Sequence, residues 1–204
     1  MKLKRKLSFI FAFMIFFTPI IQMQANAAVL EDNTAPKVEC WLVSDEGEKI
    51  IIDNSNLKIQ SMATLSSNGQ MISDVYDVVI PYSTLLKKTD QADDQSGYIR
   101  GTLTVNYYRN ADTYLIYSVN IKHVRSNNTY ALDSGFLCYS CTNTPTQQQV
   151  VFENYTSYSY TTYTGFTSYA DKNRPYFQCG ATSTRTIVNS NTGSSWELFI
   201  KVDM

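Results

Sequence analysis

One stretch of the chain, residues 98–124, alternates between apolar and polar side chains through two long runs. Successive side chains of a β-strand point to opposite faces, so a period of two with one apolar parity indicates a half-buried antiparallel strand. In the first run the apolar parity holds Ile99, Leu103, Val105 and Tyr107, with Gly101 between them. In the second run we predict a buried face of Leu115, Tyr117, Val119 and Ile121. Residues 110–112 tolerate turn geometry, so the stretch predicts a long β-hairpin.

The hairpin has β-type neighbours on both sides. Asn68-Gly69, a strong hairpin turn signal, separates the alternating runs 57–65 and 71–80. Residues 147–191 are rich in Thr, Ser, Tyr and Asn, which predicts strands at a sheet edge or on a solvated face. About nine or ten short strands favour an all-β fold, an antiparallel two-sheet sandwich of immunoglobulin-like or jelly-roll-like type. A flattened barrel is the alternative that the same pattern allows.

The first residues have the composition of a secretory signal peptide. A cationic head (residues 2–6) precedes an apolar run (residues 7–21), and Ala25-Asn26-Ala27 provides a small-x-small cleavage site. We therefore expect residues 1–27 to be a signal peptide and the protein to be secreted into the extracellular space. Residues 28–37 are expected to be a flexible lead-in, and residues 38–204 a single all-β domain. This organisation resembles the broad class of exported bacterial β-sandwich modules.

Charge and hydropathy limit the possible partners. The 17 basic residues of the chain include four in the signal segment, so the predicted product has 13 basic and 18 acidic residues, a net charge of −5. A mildly acidic surface argues against nucleic acid as a partner. No second long apolar segment follows the first, so we expect no stable membrane anchor. The sequence leaves the oligomeric state open.

Four cysteines are present: Cys40, Cys138, Cys141 and Cys179. An even count in an exported protein favours disulfides. A redox role for the C-x-x-C pair would need a helix start, and a zinc site usually needs two such pairs; the sequence has neither. If residues 136–141 are a strand, Cys138 and Cys141 point to opposite faces. We therefore predict that these two pair separately with Cys40 and Cys179, and we predict no metal site and no cofactor.

Tyrosines carry the main functional signal, because 15 are present and several cluster late in the chain. The candidate ligand-binding residues are Tyr155, Tyr158, Tyr160 and Tyr163. Aromatic rings offer large contact area at a small entropic cost, and their hydroxyls bind polar groups. We therefore expect a secreted, non-catalytic binding module for a glycan or a protein surface.

Two alternatives from other functional classes are left open. His123 is the only histidine and no nucleophile-elbow motif occurs, so an enzyme would have to rely on carboxylates, as in polysaccharide hydrolysis. The hydroxyl-rich run 155–164 has the length and alternation of a strand in a membrane pore, although its outward face would be tyrosine and threonine.

Overall fold

A computed structural model describes residues 36–66, 69–85, 96–143 and 150–204. These residues form two six-stranded antiparallel sheets that pack face to face. The all-β sandwich predicted from the sequence is therefore confirmed, and the sheets do not close into a barrel. The predicted signal peptide and residues 28–35 of the predicted lead-in lie outside the described residues.

The first sheet, sheet 1, has the strand order β2-β1-β12-β11-β7-β8. Its strands are β1 (Lys37–Ser44), β2 (Lys49–Ile51), β7 (Tyr130–Thr142), β8 (Val150–Tyr155), β11 (Gln178–Asn189) and β12 (Ser195–Asp203). The second sheet, sheet 2, has the order β10-β6-β5-β4-β3, and β9 also pairs with β6. Its strands are β3 (Leu57–Ser66), β4 (Gly69–Pro81), β5 (Tyr98–Asn110), β6 (Thr113–Arg125), β9 (Ser159–Tyr163) and β10 (Ala170–Asp171). Short 3₁₀ turns occur at Asn54–Asn56 and Tyr82–Leu85.

Strands β5 and β6 are the hairpin predicted from residues 98–124. Ala111 adopts a left-handed φ of 50° in the turn between them. The apolar parity of β5 is fully buried against sheet 1, as predicted, with Leu103 and Val105 at 0% exposure. Gly101 lies on the same face, where an added Cβ would come within 2.9 Å of Cδ1 of Ile200. The glycine thus lets the two sheets approach closely at this point.

The predicted buried face of β6 is correct only in its second half. Asn106 pairs with Ser118, but the next residue of β5, Tyr107, pairs with Ile116. The extra residue, Tyr117, is a β-bulge, and a bulge reverses the alternation of side chains along a strand. Ile116 is therefore buried at 0% exposure, and Tyr117 is 44% exposed. Leu115, which pairs with Tyr108, likewise belongs to the outer face.

The hydroxyl-rich segment also departs in part from its expected place. Strands β8 and β9 lie at sheet edges as predicted, but β11 is a central strand between β7 and β12. Its inward residues Ala181 and Ser183 are small and buried. Ser183 keeps a hydrogen-bond partner, because its Oγ lies 3.1 Å from Oη of Tyr155. Small or satisfied polar side chains thus let a Ser/Thr-rich strand occupy the middle of a sheet.

Candidate functional site

The β6 bulge presents Tyr117 on the outer face of sheet 2, the face turned away from sheet 1. The backbone N–H of Thr164 donates to the Tyr117 carbonyl at 3.0 Å. The Thr164 hydroxyl also donates to the Ile116 carbonyl at 2.5 Å. These bonds hold the end of β9 against the bulge, so the ring of Tyr117 lies beside that of Tyr163. Bulges re-aim side chains in this way near functional sites.

Three tyrosines on neighbouring strands meet on this face, and we call them the tyrosine cluster: Tyr108 on β5, Tyr117 on β6 and Tyr163 on β9. The ring centroids of Tyr108 and Tyr117 are 6.1 Å apart, with an angle of 70° between the ring planes. Those of Tyr117 and Tyr163 are 5.5 Å apart at 71°. Such edge-to-face contacts are favourable between aromatic rings. Tyr163 remains 68% exposed, so the cluster presents open ring surface to solvent.

Uncharged polar side chains adjoin the cluster. The Asn106 side-chain amide donates to the Ser118 hydroxyl at 3.0 Å. Further along the same face, the Asn120 amide donates to the Thr161 hydroxyl. Amide and hydroxyl groups thus lie beside the aromatic rings on the paired strands β5, β6 and β9. That combination suits a ligand with both apolar faces and hydroxyl groups.

The four tyrosines singled out in the sequence do not form one surface. Only Tyr163 belongs to the tyrosine cluster. Tyr155 is buried at 4% exposure, and its hydroxyl donates to the Thr184 carbonyl at 2.5 Å. An added Cβ on Gly135 would overlap the Tyr155 ring at 2.3 Å, so this glycine makes room for the ring. Tyr160 points between the sheets, where its ring stacks on Tyr155 with centroids 5.7 Å apart.

Tyr158 precedes β9 and is part of a separate arrangement around a buried arginine. Arg185 has 0% exposure, and its guanidinium group lies over the rings of both Tyr155 and Tyr158, at 5.4 Å and 5.6 Å from their centroids. The group donates to the carbonyls of Ser157, Leu132 and Thr156 at 3.0–3.2 Å. Arg185 therefore ties the β8–β9 connection to β7 and β11 at one end of the sandwich.

His123 lies in the interior beside this arginine. The imidazole is 2% exposed and its ring centroid is 6.2 Å from that of Tyr155. Burial and the nearby Arg185 charge lower the pKa of His123 to about 3, so the ring is neutral at pH 7. A neutral, enclosed imidazole stacked beside an aromatic ring is a packing residue.

Two carboxylates between the sheets each accept hydrogen bonds from three hydroxyl groups. Asp74 accepts from Ser61, Tyr76 and Tyr107 at 2.5–3.1 Å. Glu153 accepts from three other side chains at 3.0–3.2 Å: Tyr139, Tyr160 and Thr162. Burial is the main cause that raises the pKa of Tyr76 and of Tyr107, which keeps both hydroxyls protonated as donors. Both carboxylates thus join strands through hydroxyl groups.

The cysteines are four buried thiols, none at bonding distance from another. Cys138 alternates with the core residues Leu137 and Tyr139, whereas Cys141 lies in the core, so the two occupy opposite faces as predicted. Cys141 is the direct cross-strand partner of Cys179, and their sulfurs are 3.2 Å apart.

The prediction left the two pairings open, but its expectation that Cys138 has a partner is wrong. With Cys141 beside Cys179, the partner left for Cys138 is Cys40. Cys138 is on β7 and Cys40 on β1, with β11 and β12 between them. Three inter-strand steps separate the two by roughly 14 Å, well beyond the ~7 Å that a disulfide spans. Burial raises the pKa of each of these two thiols to about 12, so both stay protonated at neutral pH.

Within the described ranges, no group of three or more His, Cys, Asp or Glu side chains is placed to hold a metal ion. The same part of the chain contains no helix long and apolar enough to span a membrane.

Sequence reasoning missed Tyr108 and Tyr117 as site residues. The available signal was Ile116, an aliphatic residue on the parity expected to be polar, which marks a change of register within β6.

Comparison of the chain with protein-family models, with curated proteins and with solved structures finds no match to any of them.

Proposed function

We propose that the protein is an exported, non-catalytic binding module that recognises a soluble, uncharged glycan through the tyrosine cluster. The observation that carries the proposal is the contact between Tyr117 and Tyr163, two exposed rings on the outer face of sheet 2. Aromatic rings stack on the C–H faces of sugars, and the adjoining Asn and Thr side chains can bind sugar hydroxyls.

The ring geometry also favours one kind of glycan. Neighbouring rings in the cluster are tilted by 70° and 71°, so they do not form one flat platform. A flat platform would suit the planar surface of a crystalline polysaccharide, whereas rings facing different directions suit a single chain that twists along its length. The polar residues nearest the rings are uncharged amides and hydroxyls, which favours a neutral sugar over an acidic one.

We expect Tyr117→Ala and Tyr163→Ala each to weaken glycan binding at least about tenfold, because a stacked ring at the centre of a site contributes roughly 2 kcal/mol. The ligand is first identified on a glycan array and its affinity is then measured by titration calorimetry. Thermal melting should change little, since both side chains are exposed.

Tyr158→Ala is the matched control, because this ring is 49% exposed but lies outside the tyrosine cluster. Unchanged affinity in the control with loss in both cluster variants supports the proposal. Equal affinity in all three variants, or binding to a protein surface but to no glycan, contradicts it. Release of reducing ends from the bound glycan would identify the carboxylate-dependent enzyme, and release of dye from liposomes the membrane-active protein.

Export implies an oxidising compartment, so we also propose that Cys141 and Cys179 form a disulfide there. Directly paired residues on antiparallel strands have Cα atoms about 4.5–5.5 Å apart, within the range that disulfides adopt. Hydrogen bonding with Cys179 lowers the pKa of Cys141, which makes Cys141 the first to become a thiolate. Oxidation by dioxygen or a small-molecule disulfide removes two protons and two electrons from the pair.

Peptide mapping of exported, unreduced protein should recover Cys141 and Cys179 in one linked peptide pair. The closed loop spans 38 residues, so reduction should lower the free energy of unfolding by roughly 4 kcal/mol in the chain-entropy model. Cys138→Ser should leave the link in place. Recovery of both cysteines as free, alkylatable thiols from exported protein would refute the bond.

A further inference from the structure

Strand β3 is a long edge strand with few of the features that prevent pairing with another chain. Among the described residues it pairs only with β4, and the register runs without a bulge from Leu57 opposite Val78 to Ser66 opposite Gly69. The strand has ten residues, contains no proline and carries one charge, on Lys58. Edge strands normally avoid association through short length, proline, bulges or several charges.

The side chains of β3 add an apolar surface to this open edge. Ile59 and Leu65 lie on the same face of the strand and are 55% and 88% exposed. Met62, on the opposite face, is 67% exposed. The other edges of the two sheets are formed by shorter strands, of two to six residues. The longest edge strand is therefore also one with large exposed aliphatic side chains.

We propose that β3 is a homodimer interface, at which β3 of a second copy of the chain adds in the antiparallel direction about a two-fold axis. Such an axis runs perpendicular to the sheet, so each residue must pair with one of the same parity. A register centred on Met62 places Ile59 opposite the partner's Leu65 and Ser61 opposite the partner's Ala63. Gln60 then lies opposite the partner's Thr64.

The composition of β3 makes a second copy the fitting occupant. In this register apolar residues meet apolar residues, small residues meet small ones, and no like charges face each other. A different partner would have to supply its own extended, nearly uncharged segment, whereas β3 already has that composition. Two-fold pairing uses both β3 edges at once, and the opposite edge of sheet 2 consists of the short strands β9 and β10. The assembly is therefore closed at two copies.

Pairing through β3 is independent of the proposed ligand, but it has a consequence for binding. Because the axis is perpendicular to the joined sheet, the outer faces of both copies point the same way. The dimer thus displays two tyrosine clusters on one side, an arrangement that favours multivalent binding to a repeating ligand.

The test is sedimentation equilibrium of protein expressed from the full chain, over a range of concentrations. The unchanged protein should reach a monomer–dimer equilibrium without larger species. Met62→Glu places two carboxylates opposite each other across the axis and should weaken dimerisation at least about tenfold. Met62→Lys should do the same, and mixing the two variants should restore a heterodimer. Because Met62 is exposed, both variants should melt like the unchanged protein at concentrations low enough for all three to be monomeric.

Ile51→Glu is the matched control, since Ile51 is 78% exposed on the three-residue edge strand β2 of sheet 1. This variant should dimerise as the unchanged protein does. The proposal is overturned if the unchanged protein stays monomeric up to about 1 mM, a limit that corresponds to a binding free energy near −4 kcal/mol. It is also overturned if Met62→Glu dimerises normally, if mixing restores nothing, or if species larger than a dimer grow with concentration.

Discussion

Val119→Asp and Leu103→Asp are expected to abolish folding. Both side chains have 0% exposure and face sheet 1 from the centre of the β5–β6 hairpin. An unpaired carboxylate at either position loses its hydration without gaining a partner, at a cost of several kcal/mol. That cost is comparable to the whole stability of a domain of this size, about 5–15 kcal/mol. Circular dichroism and thermal melting of the purified variants are the measurements.

The controls are Thr104→Asp and Asn120→Asp, which place the same charge on the outer face of the same strands. Each should cost about 1 kcal/mol, the usual range of strand propensity. The β-bulge in β6 allows a more direct test of the strand register, with substitutions at two adjacent residues. Ile116→Asp should be as damaging as Val119→Asp, whereas Leu115→Asp should be mild. A reversed order within this pair would show that the register of β6 is wrong.

Arg185→Met is expected to lower the free energy of unfolding by roughly 3–5 kcal/mol. The side chain is fully buried, and its guanidinium group donates to three backbone carbonyls. Methionine fills much of the volume but leaves those carbonyls without their donor, and buried unsatisfied groups are costly. Chemical denaturation measures the loss.

Arg100→Met is the control for this substitution. Arg100 is exposed on β5, and its closest approach to Asp77 is 3.6 Å. Surface ion pairs of this kind contribute at most about 1 kcal/mol, so the control should be nearly as stable as the unchanged protein. Arg185→Lys should not restore stability, because a single ammonium group cannot donate in the directions of the guanidinium fork. Similar losses at positions 100 and 185 would contradict a special role for Arg185.

The strands of sheet 2 could be predicted from the sequence because local rules fix them. Alternation in β5 and the Asn68-Gly69 signal in the sequence both act over a few residues, and the structure pairs β3 with β4 and β5 with β6 as they predict. The bulge in β6 could not be placed in the same way. Leu115, Ile116 and Tyr117 are all large and apolar, so either parity could be buried. Packing against sheet 1 decides which parity is buried, and the periodic pattern of the sequence carries no information about that packing.

The tyrosine cluster depends on that choice and on a contact distant in sequence. Tyr117 and Tyr163 become neighbours only because β9 pairs with β6, and no local signal in residues 155–164 specifies that pairing.

The cysteines show the same limit of prediction from local sequence patterns. Residue spacing predicted that Cys138 and Cys141 face opposite ways, but the partner of each depends on strand order. The order β1-β12-β11-β7 brings Cys179 to Cys141 and keeps Cys40 away from Cys138.

Strand order in the two sheets also implies a sequence of events during folding. From β3 to β6, each strand of sheet 2 pairs with its neighbour along the chain, so each pairing closes only a short loop. In sheet 1, by contrast, β1 pairs with β12, and almost the whole domain lies between them. Closing a longer loop costs more entropy, so we expect sheet 2 to nucleate folding and the β1–β12 ladder to form late. During synthesis β1 therefore emerges from the ribosome well before β12, the strand with which it pairs.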